Sequence, residues 1–528
     1  MSLPAESVPP SAPPQPLAVA SPKPAPRTPP SSRALLLAFA ALLLALQGAR
    51  GLWDPDEGRY SAVAWNMVVG GDWFTPHLSP EVPHFTKPPL TYWALATSMK
   101  LLGRNETALR LPGALAAILT VLLVYALGKR LVPTDPLLAA TVQATALLPF
   151  VGAHLVTTDP LLALFETLAV FGFVVSWWDE PSPHGDRGTR PAGRWALPVM
   201  WLGFGLAFLT KGPPGLLPLL PIVVFAAWTR GARGLLRLLS PAGIALFAIT
   251  AFSWYWLQIR LRPDLLGYLL GFEVGGRLVG AQARNPGWHG LLIAIVPVVI
   301  AGLLPWSAAA VFARRRTKDT SSSDQLAARF LWLWALLPLL VFSVVQSRQP
   351  LYLLPLAVPG SLLVARRLAP AWTWSRRQRA WLAVWAAVLL GLAALGAAWP
   401  EKRDGRRFTA AVLRLAPKPP SALIFVDRHA RYSATMYCRC EVESVQLLED
   451  LVDRAGPAYR PLTETLAEEL ADRESGHVWL IRPLSHAAWL QAMAQAGWRV
   501  RRLGTVEDYP VYAAEPPLVT PAPPAGAG

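Results

Sequence analysis

The stretch of sequence that decides the fold begins where the first long apolar run ends. Residues 53–60 read WDPDEGRY, residues 70–73 read GGDW and residues 84–89 read HFTKPP. They follow an uninterrupted run of Ala, Leu and Phe over residues 34–46. Ionisable side chains directly after a membrane-length helix are costly to place, so they mark a functional site. The rest of the chain is interpreted as a membrane scaffold that holds this stretch at one face of a bilayer.

Composition places the chain among polytopic membrane proteins. Of its 528 residues, 53% are hydrophobic and 16% are charged, and the mean hydropathy is +0.35. A soluble globular protein carries about 25% charged residues. The net charge of +16 does not indicate nucleic-acid binding, because the chain from residue 400 onward holds 16 basic and 16 acidic residues. The excess lies in short segments between apolar runs, where positive charge orients membrane proteins.

Eleven apolar segments are predicted to span the membrane. They lie at residues 33–53, 108–128, 137–154, 160–178, 195–210, 214–229, 241–257, 290–312, 330–346, 351–365 and 380–399. Lys and Arg cluster in every second loop, within residues 129–130, 187–194, 230–237, 314–318 and 366–379. Because basic loops stay in the cytoplasm, this alternation predicts a cytoplasmic N-terminus. The first loop, residues 53–106, is then on the outer face.

The fold class predicted is an all-α polytopic membrane protein with a small C-terminal α/β extracytoplasmic domain. The predicted parts are a disordered Pro-rich cytoplasmic tail at 1–32, the membrane domain at 33–399, the α/β domain at 400–514 and a disordered tail at 515–528. In the α/β part, short buried strands are predicted at 422–426 and 477–481, and helices at 461–474 and 486–497. This domain is expected to act as a lid or in acceptor recognition.

The predicted topology collects charged side chains at the outer face. A phosphate-bearing lipid needs cations at the headgroup level, because Arg binds phosphate through two parallel hydrogen bonds and Lys acts as a point charge. The candidate cations are Arg59, Lys87, Lys211, Arg277 and Arg348. Transfer at a sugar carbon also needs a carboxylate that accepts or orients the acceptor's proton. Asp56 and Asp159 are the candidates for this role.

Most of these candidates also have a structural interpretation. Asp159, which precedes a proline, is typical of a helix N-cap. Lys211 and Arg348 can extend their charged ends from helix termini, and Arg277 is more simply a solvated side chain. The sequence DPDE at residues 54–57 favours function, because three acids stand beside a membrane with one nearby arginine.

These motifs resemble the first loop of the ArnT-like branch of the protein-mannosyltransferase superfamily, which are membrane glycosyltransferases of the GT-C type. The family pattern is P-D-E-x-R-Y, then G-D-W about a dozen residues later, then F-E-K-P-P before the second helix. Here residues 55–60 read PDEGRY, residues 71–73 read GDW and residues 85–89 read FTKPP. The resemblance extends over about residues 34–360.

The resemblance implies an inverting sugar transfer from a polyprenyl-phosphate donor to a lipid, glycan or protein acceptor at the outer face of the cytoplasmic (inner) membrane. Asp56 would be catalytic, with Asp159 as a supporting carboxylate, and Arg59, Lys87 and Tyr352 would contact the donor phosphate. The other residues expected to bind substrate are Glu57, Tyr60, His84, Lys211, Glu273, Arg277 and Arg348. No nucleotide and no nucleic acid is expected as a partner.

Two departures from the family pattern bear on a divalent metal, which some family members bind. Thr86 stands where the family has Glu, and residues 273–277 (EVGGR) lack the His of a Glu-His pair. His84 can compensate, but no metal ligand or cofactor is assigned. Cys438 and Cys440 are too few for a disulfide framework or a zinc ribbon and are left unassigned.

The alternative function is a transporter or flippase of a lipid-linked glycan. Such a protein also uses many spans and intramembrane cations, but internal repeats and interrupted helices near the midplane are expected of it. The sequence shows no repeat, and its predicted charges lie at one membrane face. Glycosyl transfer is therefore the favoured function.

Overall fold

The structure is a computed structural model that describes residues 31–79, 83–178, 194–276, 285–313, 322–427, 429–447, 464–471 and 474–517. The predicted tails at 1–32 and 515–528 lie mostly outside these residues. Within the described ranges, seven helices are long and apolar enough to cross a membrane: Glu106–Leu131, Asp159–Trp178, Pro213–Leu238, Pro241–Leu261, Ser322–Val344, Pro350–Leu368 and Arg376–Ala398.

Further apolar helices complete the membrane domain. Two pairs are bent, by 60° and 68°, and pass the same test together: Pro136–Thr145 with Leu147–Ala153, and Gly287–Ala301 with Trp306–Phe312. Two apolar helices are shorter, Ser32–Leu44 and Ala196–Lys211. Ten of the eleven predicted segments coincide with a helix or a bent pair, whereas the first, at 33–53, is helical only as far as Leu44. The polytopic helical fold is confirmed with seven to nine spans in the described residues, and the full count of eleven stays a prediction.

The remaining helical elements connect these spans. In the first loop they are Asp56–Gly70, which we call the first-loop helix, and Leu90–Leu102. Between the later spans lie the short helix Leu265–Gly267 and the π-helix Tyr268–Gly275. The first-loop helix begins with two acids, where the helix dipole favours negative charge, and ends at Gly71 in a left-handed conformation.

Close packing of two antiparallel helices brings two charged residues of the candidate site together. A Cβ atom on Gly172 of helix Asp159–Trp178 would lie 2.5 Å from the backbone of Met200, and one on Gly203 of helix Ala196–Lys211 would lie 2.5 Å from the backbone of Ala169. Only glycine permits this approach. It brings the first residue of one helix next to the last residue of the other.

The C-terminal domain contains one mixed six-stranded sheet with the order β3-β2-β1-β4-β6-β5. The strands are β1 Ala422–Val426, β2 Glu441–Gln446, β3 Glu464–Thr465, β4 Val478–Ile481, β5 Arg499–Val506 and β6 Tyr509–Glu515. β1 to β4 pair in parallel, whereas β6 is antiparallel to β4 and β5. Its described helices are Gly405–Leu415, Ala434–Cys438, Leu466–Ala471 and His486–Gln495. The predicted strands at 422–426 and 477–481 and the α/β character of this domain are confirmed.

Side chains on the two faces of the sheet build two apolar cores. On one face, Leu423 and Phe425 pack with Phe408 of helix Gly405–Leu415. On the other, Ile424 and Val426 pack in a cluster with Trp479. Cys438 and Cys440, left unassigned from sequence, are joined by a disulfide.

Candidate functional site

The turn between the first apolar helix and the first-loop helix is folded around one carboxylate. Glu57 accepts hydrogen bonds from the Arg50 side chain and the Trp53 amide, both at 2.8 Å, and from the Val156 amide at 3.0 Å. Its two oxygens also lie 3.2 Å from the guanidinium of Arg110, which donates in addition to three main-chain carbonyls of the turn. Buried charges are stable when they are paired and hydrogen-bonded in this way.

The hydrogen bonds that Glu57 accepts hold the turn together. Its side chain is only 3% exposed. Burial alone would raise the pKa of Glu57, but the guanidiniums of Arg110 and Arg50 hold it at about 2. This position favours a structural role over the predicted contact with substrate. Arg110 was not predicted, although a charged residue at the start of the apolar segment 108–128 is the signal that identifies it.

Asp56, one residue earlier, has a different environment. It opens the first-loop helix and forms an ion pair with Arg59, one turn later. The Asp56 side chain is 38% exposed and that of Arg59 is 31% exposed. This ion pair is thus accessible to an arriving molecule, as a catalytic carboxylate and a phosphate-binding cation need to be.

Tyr60, four residues after Asp56 in the first-loop helix, is also a predicted substrate-binding residue. Its ring lies 5.8 Å from that of Tyr92, centroid to centroid. Burial raises the pKa of Tyr60 well above its usual value, and the neighbouring Tyr92 and the charges of Asp56 and Asp159 add to the effect, while Arg59 opposes it. A hydrogen bond brings the two predicted carboxylates to the same end of the protein, because Glu57, next to Asp56, accepts from the amide of Val156, three residues before Asp159.

Asp159 and Lys211 form a second ion pair at the junction of the two packed helices. The Lys211 Nζ lies 2.5 Å from Asp159 Oδ1 and 4.2 Å from the centroid of the Tyr352 ring. Asp159 begins its helix and Lys211 ends its own, so each charge is stabilised by a helix dipole. Three predicted site residues thus meet here. Glu166, buried two turns further along the same helix, was not predicted; its signal is an acid inside the apolar segment 160–178.

His84, Thr86 and Lys87 form the third part of the site. His84 Nε2 lies 2.7 Å from Thr86 Oγ1, and the Lys87 ammonium donates to the Thr86 carbonyl at 2.8 Å. Burial lowers the pKa of His84 to about 3, with further contributions from the nearby charges of Arg59 and Lys87. His84 is therefore neutral at pH 7.

Of the remaining predicted residues, only Arg348 has a described side chain. Arg348 is buried, and its guanidinium donates to three main-chain carbonyls at 2.5 to 3.2 Å. Those bonds favour a structural role for Arg348. Glu273 lies in the π-helix, but its side chain is outside the described residues, and so is the whole of Arg277.

The donor set of this structure gives no basis for assigning metal ligands. Among the described residues, no three His, Cys, Asp or Glu side chains cluster as ligands of a metal ion. At the two family positions concerned, Thr86 offers a hydroxyl in place of a carboxylate and Glu273 has no described side chain. His84 is hydrogen-bonded to Thr86.

Comparisons with known proteins agree with this fold. The family of dolichyl-phosphate-mannose-protein mannosyltransferases matches residues 86–256. The crystal structure of ArnT from Cupriavidus metallidurans bound to undecaprenyl phosphate superposes with a TM-score of 0.71 at 20% identity, covering 91% of this chain and 97% of that one. The chain is therefore a polytopic membrane protein with the fold of this ArnT structure.

Some sequence relatives share more identical residues with the chain than this crystal structure does. An undecaprenyl phosphate-alpha-4-amino-4-deoxy-L-arabinose arabinosyl transferase of Pectobacterium carotovorum is 33% identical over 353 residues, which are 64% of this chain and 60% of the relative. A second, from Pseudomonas fluorescens, is 31% identical over 340 residues, or 63% of this chain and 59% of the relative. The chain thus matches about three fifths of the length of these relatives. The resemblance predicted from the first loop is confirmed, because the chain is similar in sequence to these transferases and similar in fold to ArnT.

Proposed function

We propose that this protein is an inverting glycosyltransferase that moves a sugar from a polyprenyl-phosphate donor to a lipid, glycan or protein acceptor. The observation that carries the proposal is the accessible Asp56–Arg59 pair together with the buried Asp159–Lys211 pair. A carboxylate that activates a hydroxyl and cations that stabilise a departing phosphate are the groups that this reaction needs. The names of the sequence relatives make an amino-arabinose on undecaprenyl phosphate the first donor to test.

In the proposed step, Asp56 accepts the proton of the acceptor hydroxyl while the hydroxyl oxygen attacks the anomeric carbon. The new carbon–oxygen bond forms opposite the bond to the phosphate oxygen, so the configuration inverts. The lipid phosphate leaves with the bonding electrons, and Arg59 and Lys87 neutralise its growing charge. Lys211, which is held by Asp159 and by the ring of Tyr352, completes the cationic side.

We further propose that the protein lies in the cytoplasmic (inner) membrane with the first loop and the C-terminal domain on the periplasmic or extracellular side. The alternation of basic loops supports this orientation. A membrane-impermeant maleimide should label an Asp72→Cys variant from outside intact cells. Labelling from the cytoplasm alone would refute the orientation.

The alternative of a glycan transporter or flippase has less support. Asp159 and Lys211 lie at the ends of their helices, whereas the coupling sites of transporters lie near the midplane of broken helices.

Mass spectrometry of envelope lipids and glycans from cells with and without the gene tests the proposed function. We expect one modified species to disappear and its polyprenyl-phosphate sugar to accumulate, with recovery on complementation by the wild-type gene. An unchanged envelope, together with no sugar transfer by the protein in vesicles that contain undecaprenyl-phosphate amino-arabinose, would count against the proposal.

A further inference from the structure

Hydrogen bonds between Asp54 and Ser433 join the C-terminal domain to the turn that precedes the first-loop helix. Asp54 Oδ1 accepts from the Ser433 amide at 3.1 Å, and Asp54 Oδ2 accepts from the Ser433 hydroxyl. Ser433 is fully buried. Both carboxylate oxygens of a residue two positions before Asp56 are therefore bonded to one residue of the other domain.

Two glycines make room for this contact. A Cβ atom on Gly58 would lie 2.1 Å from Asp54 Oδ1 and 2.6 Å from the Ser433 amide nitrogen. A Cβ atom on Gly405 would lie 1.9 Å from the Ser433 hydroxyl oxygen. Such distances are far below van der Waals contact. Alanine at Gly58 would therefore push the two domains apart at this point, and alanine at Gly405 would displace Ser433 within its own domain.

Main-chain bonds extend the contact along the turn. The Asp54 amide donates to the Arg403 carbonyl at 3.0 Å, and the Gly405 amide donates to the Leu52 carbonyl at 2.9 Å. Trp53 and Asp404 form an antiparallel bridge between the same two segments. The turn before Asp56 is thus paired with the start of the C-terminal domain like a short piece of sheet.

Side chains from the same domain fix the base of the turn. The Tyr437 hydroxyl accepts from the Leu52 amide and donates to Glu106, both at 2.9 Å. Arg406 donates to the same Glu106 carboxylate at 2.6 Å. Tyr432 and Tyr437 also pack against the apolar cluster of the first loop. The contact is therefore broad and largely polar.

We propose that Ser433 is a positioning residue for the proposed transfer reaction, and that its contact with Asp54 holds Asp56 in its reactive orientation. The C-terminal domain then works docked on the first loop during turnover and does not open as a lid. The inference rests on the proposed function, because Asp56 is the carboxylate to be positioned. Asp56 opens the first-loop helix directly after the Asp54 turn, so a loosened turn displaces its carboxylate.

A double-mutant cycle on the full-length protein in vesicles tests this inference. Ser433→Ala, Asp54→Ala and the double variant are compared with wild type, using undecaprenyl-phosphate amino-arabinose as the donor. The matched control is Ser485→Ala, because the Ser485 hydroxyl is also buried in the C-terminal domain but has no hydrogen-bond partner among the described residues. Hydrogen–deuterium exchange of residues 52–60 is measured on the same samples.

We expect kcat to fall about tenfold in each single variant, since the lost bonds involve a charged group. The double variant should lose no more than about the same factor, and the donor KM should stay within about twofold, because the bonds do not contact the donor. Exchange over residues 52–60 should rise in all three variants and stay at the wild-type level in Ser485→Ala.

Two results would overturn the inference. Unchanged exchange over residues 52–60 would show that Ser433 does not hold the turn, and this readout does not depend on activity. Faster exchange with unchanged kcat would show that the contact has no role in positioning. A wild-type protein that transfers no sugar while exchange rises in the variants would instead contradict the proposed function.

Discussion

Asp56 and Glu57 are adjacent acids whose surroundings differ completely. Glu57 is 3% exposed and accepts bonds from two arginines and two main-chain amides. Asp56 is 38% exposed and forms an ion pair with Arg59. The helix turns their side chains about 100° apart, so one enters the protein interior and the other faces the site.

The difference shows how one short motif can supply a structural acid, Glu57, and the acid that we propose to be catalytic, Asp56. A carboxylate whose bonds are saturated by its own chain has nothing to offer a substrate, whereas one that stays accessible can take a proton. Environment assigns the two roles, because the residue types are nearly the same. The predictions below test this division, from the largest expected effect to the smallest.

The largest effect is expected from Glu57→Gln. This change leaves the buried guanidiniums of Arg110 and Arg50 without their counter-charge, which typically costs about 3–5 kcal/mol of stability. Thermal unfolding of the purified protein should show a clearly lower midpoint, whereas the exposed control Glu515→Gln should unfold like wild type. A Glu57→Gln midpoint equal to that of wild type would show that Glu57 is not a structural centre.

Lys87→Ala should weaken donor binding without unfolding the protein. Removing one charged contact to phosphate costs about 1.5–3 kcal/mol, so the apparent donor affinity should fall at least about tenfold. The control is Lys100→Ala, an exposed lysine that lies over the ring of Trp73. Equal donor affinity in the two variants would remove Lys87 from the phosphate site.

The smallest effect is a pH dependence at Asp54. Burial raises the pKa of Asp54 to about 6 from 3.8, against the opposing bonds from Ser433. Because the folded-state pKa is the higher one, the stability that this group contributes is complete below about pH 3.8 and is lost as pH rises through 6. Relative to Asp54→Asn, the wild-type unfolding midpoint should therefore fall between pH 4 and pH 7. A rise over that range would contradict the assignment.

Sequence patterns predicted the parts of this protein that depend on local order. Ten of the eleven apolar segments coincide with a helix or a bent pair, since a long apolar run in a membrane must satisfy its backbone within a helix. The first, at 33–53, is helical only as far as Leu44, because Gln47 and Arg50 belong to the turn around Glu57. The strands at 422–426 and 477–481 were likewise predicted from short apolar runs. The burial of Glu57 depends on residues distant in sequence, such as Arg110 and Val156. The local sequence therefore predicted a site role for both Glu57 and Asp56.

Long-range pairs were the part that the sequence could not supply. Arg110 meets Glu57 across 53 positions, and Ser433 meets Asp54 across 379. A lone serine in a soluble domain carries no signal that it is bonded to a membrane loop. Arg348 is the opposite case, since the sequence predicted a substrate-binding role for it. In the structure its guanidinium donates to three main-chain carbonyls.

The division of roles between the two acids is tested most directly by Asp56→Asn, measured for transfer and for unfolding in one preparation. The substitution removes the base but keeps the size of the side chain, so the transfer rate should fall by at least about 100-fold. Because the side chain is partly exposed, the free energy of unfolding should change by no more than about 0.5 kcal/mol. A transfer rate near that of wild type, or a large loss of stability in place of activity, would contradict the account.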